Sequence, residues 1–325
     1  MRKKVVVIGG GTGTFVALLG LKKYDLDISA IIAMTDSGGS TGKLRDQLGV
    51  LPPGDLRQAL VALSDSEKVW RDLFLYRFES GDLEGHNFGN IFISALEKVS
   101  GSLSKSVEIA TKILDAKGKV VPVTYQKAEL CVRLVNQSFV IGETHIDEPT
   151  KFENRPKIEQ AFLQPKVKVN PDVVKVIKNA DLIVIGPGDL YTSIIPNFLV
   201  DSVVASIKKS KAKKVYVLNL STKRGQTTNY KATDHILDLE KYIGKHVLDY
   251  VVLNTTAPSK KALNWYLKKK ESVVMDDLIN TPFKVIRADL INTTEYKKSK
   301  SDKLIRSLIR HDSDKLAKQL VKLLN

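Results

Sequence analysis

Five short apolar runs, each leading through a polar or glycine-rich loop toward an amphipathic segment, constrain this chain most. They are VVVI (5–8), ISAIIAM (28–34), DLIVIG (181–186), KVYVLNL (214–220) and DYVVLN (249–254). Continuous β-branched runs of this length suit strands buried on both faces. Strand–loop–helix repetition then predicts an α/β fold, a parallel sheet with helices on both faces. FVALLGLKKY (15–24) is the first helix candidate, and 67–114 reads as helical through VWRDLFLYRF and GNIFISALEKV. SDKLAKQLVKLL (313–324) predicts a further helix with Ser313 as its cap. Between 119 and 169 the pattern changes to alternation, which predicts a small antiparallel insertion between two α/β halves. No linker stands out, so residues 1–325 are expected to form a single α/β domain carrying a β-rich insertion at about 119–169.

The loops that follow these strands carry the chemistry. GGGTGT supplies Gly9, Gly10, Gly11, Thr12, Gly13 and Thr14 directly after the first strand. Glycines let a ligand approach the backbone, and a helix N-terminus offers unpaired N–H groups to an anion. A dinucleotide fingerprint would place its last glycine where Thr14 stands, so this is a relative of that motif and not a copy. The second loop, TDSGGSTGKLRDQLGVLPPGD (35–55), offers Ser37, Gly38, Gly39, Ser40 and Thr41, with Lys43 and Arg45 as a positive rim. It contains Gly-Lys, but Leu44 follows where an ATP-binding loop has Ser or Thr, so ATP hydrolysis is not expected. Asp36 ends the second strand and suits a ribose hydroxyl. Asp55 reads equally as a helix N-cap or a ligand group.

Gly186, Gly188 and Asp189 belong to a third loop, IGPGDLYTS, and Asn87 and Asn90 to a fourth, GHNFGN. The two asparagines could cap a helix or donate to a ligand, whereas Phe88 is expected to pack in the core. Ends of parallel strands converge on one crevice, so the loops together predict a binding site for a phosphorylated nucleotide. No Ser-His-Asp order or metal-ligand spacing surrounds the five scattered histidines.

Composition removes other classes. Cys131 is the single cysteine, which allows no internal disulfide and reads as a buried thiol. The apolar run after MRKK is too short for a secretion signal, and no run approaches the ~20 residues of a membrane span. A cytoplasmic protein without membrane contact is expected. Net charge is +15 and pI ≈ 9.6. The lysine clusters lack interleaved aromatics, so they read as solvated faces that gather phosphate-bearing small molecules, and no nucleic acid is expected. A nucleic-acid binder stays open as a second alternative, recognisable by a steep loss of affinity with salt.

The order GGGTGT, TDSGGSTGKLRDQLGVLPPGDLRQALVALS, GHNFGN and IGPGDLYTSIIPNFLV, with RHDSDKLA near the end, resembles the bacterial gluconeogenesis factor family. Those proteins bind uridine-diphosphate sugars and are related to the phospholactate transferases of deazaflavin coenzyme synthesis. The resemblance implies a Rossmann-like fold, a nucleotide-sugar site, a cytoplasmic homodimer, and a role in growth and cell shape on gluconeogenic carbon sources. By motif matching it implies that Tyr266 and Arg310 contact the nucleotide sugar. It implies no required cofactor, with Asp36 and Asp55 as counterparts of transferase aspartates that could hold Mg²⁺. The transferases carry adjacent aspartates where this chain has Ser-Gly-Gly, and KRGQ (223–226) stands where the family usually has a Gln-Pro-Gly-Glu-type turn. A non-catalytic binding protein is therefore favoured over a metal-assisted transferase of phosphoryl or nucleotidyl groups.

Overall fold

The computed structural model describes residues 2–148, 155–293 and 307–324. In chain order the strands are β1 (Lys3–Gly9), β2 (Leu26–Ile32), β3 (Lys119–Pro122), β4 (Glu129–Leu134) and β5 (Phe139–Ile141). They continue as β6 (Ile158–Gln164), β7 (Leu182–Ile185), β8 (Lys213–Val217), β9 (Tyr250–Asn254) and β10 (Lys284–Ala288). Seven of them form one sheet in the order β10-β9-β8-β7-β1-β2-β3, parallel at every pairing. Val5 to Ile8 and Leu182 to Ile185 are buried at every consecutive position. Successive strand residues point to opposite faces, so unbroken burial means both faces are covered.

The expected α/β class and its five runs are all present. Strand β10 was not anticipated: KVIRA is short and carries exposed Lys284 and Arg287, as an edge strand does. The insertion is smaller than expected. Strand β3 pairs in parallel with β2 and belongs to the main sheet. Only β5-β4-β6 form the antiparallel sheet, with the short helix Glu143–Asp147 between β5 and β6. PKVKV (165–169) pairs with no strand. Four residues, KVVP, cannot by themselves reveal which sheet a strand joins.

Two helix starts also differ. The first helix is Gly11–Leu21, so the glycine loop itself forms the opening turn. The last is Ser313–Lys322, and its cap is Asp312, whose side chain accepts from the Asp314 and Lys315 N–H groups; Ser313 is the first helical residue. These two helices pack flush, since an added Cβ on Gly20 would lie under 3.0 Å from the Ser313 backbone. The region 67–114 holds three helices, Lys68–Leu75, Phe88–Ser100 and Leu103–Ile113. Cys131 is buried in β4, which pushes its thiol pKa up. Among the described residues no single helix is long and apolar enough to cross a membrane.

The chain runs outward from β1 through β2 to β3, then returns to β7 and runs out the other way to β10. Where strand order reverses, loops diverge and leave a crevice beyond the carboxyl ends of the strands. That point lies between β1 and β7.

Candidate functional site

The Gly11–Leu21 helix starts at the end of β1 with extended Gly10 at its N-cap, no side-chain cap and no acidic residue in its first turn. The Gly39–Leu48 helix starts after β2 in the same way, from Gly38. Bare helix N-termini present N–H donors and the positive end of the dipole. Gly10, Gly11, Thr12 and Gly13 of the first loop, Gly38, Ser40 and Thr41 of the second, and Gly188 and Asp189 of the third line one cavity. Gly13 permits this convergence, because a Cβ there would lie under 3.0 Å from the Pro187 carbonyl. After Asp189 the chain makes one π-helical turn, Leu190–Ile194, which brings Thr192 and Ser193 to the same cavity.

Asn90 and Arg310 also line it. Several expected residues stand outside and support it instead. Gly9 packs over buried Thr14. Ser37 Oγ accepts from the Thr144 N–H at 3.0 Å, pinning the insertion to the second loop. Gly39 and Gly186 take positive φ in their turns. Lys43 is exposed, and Arg45 pairs with Glu129 at 3.1 Å, so neither forms a positive rim. Asn87 caps the Phe88–Ser100 helix and donates to the Tyr76 carbonyl. Phe88 is half-buried, stacked against Phe92. Tyr266 is buried behind the wall, its hydroxyl accepting from the Ile309 N–H at 3.2 Å, and Ile309 is what faces the cavity.

Asp36 and Asp55 both reach the floor. A Cβ on Gly54 would lie 2.5 Å from Asp36 Oδ2, and one on Gly10 would be under 3.0 Å from Asp55 Oδ2. Asp36 Oδ1 accepts from the Gly38 N–H at 2.9 Å. Asp55 is not an N-cap, since Pro53 holds that position and Asp55 lies in the first turn. Among the described residues no group of three His, Cys, Asp or Glu side chains is placed to hold a metal. Two carboxylates beside bare helix N-termini still fit Mg²⁺, which takes one or two carboxylates and completes its shell with phosphate and water.

The opposite wall is acidic and was not anticipated. The Glu143–Asp147 helix of the insertion contributes Glu143, Thr144 and Asp147. Burial, then the negative charges of Asp36 and Asp147, raise the Glu143 pKa well above the usual carboxylate range. Lys223 lies between Asp147 (3.1 Å) and Asp189 (3.9 Å). Burial opposes the charge on Lys223, but Asp189 and Asp147 outweigh it and keep the ammonium protonated. Burial pushes Asp189 up to about 6 despite Lys223, while its side chain keeps 35% exposure toward the cavity. Gln226 Nε2 donates to Asp147 at 2.9 Å, so the divergent KRGQ turn is what clasps the insertion.

Arg57 and Arg77 line the cavity as well. Arg57 is buried and held by Asn90 Oδ1 (2.8 Å) and the Phe74 carbonyl (3.2 Å). A lone arginine inside the apolar helix pattern of DLRQALVAL was its available signal. Glu143 and Asp147 sit four apart on one helix face, but nothing local says that this face docks against the second loop.

The family model for 2-phospho-L-lactate transferase CofD matches residues 5–293. A putative gluconeogenesis factor of Thermotoga maritima is 41% identical over 319 residues, covering 97% of each chain. The gluconeogenesis factor of Bacillus subtilis is 37% identical over 328 residues, covering 99% of this chain and 98% of its own. A crystal structure of a UPF0052 family member from Bacillus halodurans superposes with a TM-score of 0.89 at 34% identity, covering 99% of each chain. With its strand order, its glycine floor and these relatives, the chain belongs to the CofD family, in the branch whose members are called gluconeogenesis factors.

Proposed function

We propose that the protein binds a uridine-diphosphate sugar in the crevice between β1 and β7 and acts as a gluconeogenesis factor supporting growth and cell shape on gluconeogenic carbon sources. The observation that carries the binding is the pair of uncapped helix N-termini at Gly10 and Gly38, converging with Gly188 on one cavity. Such a floor takes phosphate oxygens through backbone N–H groups. Arg57, Arg77 and Arg310 add positive charge around it. The acidic wall opposite suits hydroxyl groups, which a sugar supplies. Isothermal titration with UDP-glucose and UDP-N-acetylglucosamine, with UDP as control, tests the reading. Micromolar binding that weakens in Arg310→Ala is the expected result, and no heat with any uridine nucleotide would overturn it.

The family name and the placement of Asp36 and Asp55 on the floor favour one second reading, a metal-assisted transferase of phosphoryl or nucleotidyl groups. Mg²⁺ held by these carboxylates would neutralise a diphosphate and polarise it toward attack. Labelled-donor assays with Mg²⁺ separate the two readings: turnover lost in Asp55→Asn supports a transferase, and binding without turnover supports a sensor.

A further inference from the structure

His311 lines the cavity beside Arg310 yet is 6% exposed, and the fold leaves part of its polar capacity open. Its ring donates to the Leu218 carbonyl, while Nε2 is buried and has no hydrogen-bond partner among the described residues. Because one ring nitrogen carries the proton toward Leu218, the unpartnered Nε2 is left as an acceptor.

The backbone that carries the ring is held in place. His311 bridges Ile291, Asn292 N–H donates to the Arg310 carbonyl at 2.9 Å, and Asp312 N–H donates to Leu290 at 2.7 Å. The backbone on both sides of the histidine is therefore sewn to 290–292. A buried polar atom without a partner costs about 1–3 kcal/mol, so an acceptor fixed in this way at a ligand cavity points to a donor on the ligand. His235 gives the contrast. Both its ring nitrogens also lack partners, but it is fully enclosed in the core and does not line the cavity.

We propose that His311 is a specificity-determining residue of this site: its Nε2 accepts a hydrogen bond from a hydroxyl of the bound nucleotide sugar. The site thereby favours ligands that present an O–H at this point and disfavours those that present an anionic oxygen, which would face a lone pair. Burial, opposed only by the hydrogen bond to Leu218, lowers the ring pKa to about 4, so the imidazole stays neutral and accepting at neutral pH. The assignment rests on the nucleotide-sugar reading above. The donor hydroxyl belongs either to the ribose or to the sugar, and both share this chemistry.

The experiment uses the whole chain. The ¹⁵N resonance of the unprotonated His311 nitrogen is followed as UDP-glucose is added, and affinity is measured for wild type, His311→Phe and His311→Gln. An upfield movement at saturation is expected, with about a tenfold weaker affinity in His311→Phe and partial recovery in His311→Gln, whose amide oxygen can accept. A His311→Phe penalty that vanishes with UDP assigns the sugar hydroxyl, and one that persists assigns the ribose. If wild type binds UDP-glucose but the resonance does not move, the His311 assignment is overturned whatever the variants do. Should wild type bind no uridine nucleotide, the nucleotide-sugar reading falls first and this assignment with it.

Discussion

The two sides of the cavity are built from different materials. The floor is mostly backbone: Gly10, Gly13 and Gly38 bring helix N-termini to the surface, and Asp36 and Asp55 are the carboxylates that reach it. The far wall is side chain: Asp147 and Asp189 flank Lys223, and Glu143 feels the charges of Asp147 and Asp36. A backbone floor recognises phosphate generically, because every helix N-terminus has the same donors. A wall of carboxylates repels phosphate and is paid for in folding energy, since buried charges are costly unless paired. On the proposed reading, generic affinity resides with the backbone donors and discrimination with the carboxylate wall. A ligand with a diphosphate at one end and hydroxyls at the other satisfies both.

That division can be broken on the floor first. Gly13→Ala sets a methyl group against the Pro187 carbonyl, and backbone on both sides leaves no flexible atom to yield. The expected cost is about 3 kcal/mol in urea unfolding, the upper range for overpacking, with UDP-sugar binding lost in calorimetry. Arg310→Ala leaves the fold intact and weakens binding by about 2 kcal/mol, the range for a lost charged hydrogen bond. Unchanged affinity would show that the charge around the floor is not used by the ligand.

The wall gives smaller effects. Lys223→Ala removes the cation between Asp147 and Asp189, leaving Asp147 its bond from Gln226, and a destabilisation of about 1–2 kcal/mol is expected in denaturant titration. This is below the value for a fully buried pair because both carboxylates keep some solvent contact. Glu143→Gln should change stability by ~1 kcal/mol or less near neutral pH, in the stabilising direction. Its pH signature is the sharper test. The folded-state pKa of Glu143 lies above its unfolded value, so the native state holds a proton that the unfolded chain releases. Wild-type stability should accordingly fall as pH rises from about 4.5 through the raised folded value, and Glu143→Gln should flatten that slope.

The floor was legible in the sequence, as was Asp189, but Glu143, Asp147 and Lys223 of the wall were not. Glycine loops leaving β-branched runs are local patterns, and parallel pairing alone brings their ends together, so GGGTGT, GGSTG and GPGD could be placed in one crevice from spacing. Tyr266 and Arg310 were distinguished only by resemblance, and the structure puts Arg310 at the cavity and Tyr266 one layer behind it, holding Ile309. Lys43 and Arg45 looked like a rim because charge after a glycine loop is ambiguous. Helix phase decides it, turning Arg45 toward Glu129 in the insertion. Glu143 and Asp147 acquire meaning only when the insertion folds back on Ser37 and Lys223, contacts spanning 106 and 76 residues of chain. A local pattern carries no information about contacts of that reach.

The flush seating of the Gly11–Leu21 helix on the Ser313–Lys322 helix bears on how the molecule is made. The glycine loop is synthesised before its packing partner, which, with Arg310 and His311, follows all ten described strands. Throughout translation the apolar flank of that first helix waits uncovered. A chain arrested before residue 309 therefore offers an incomplete cavity, one that lacks Ile309, Arg310 and His311 from its lining.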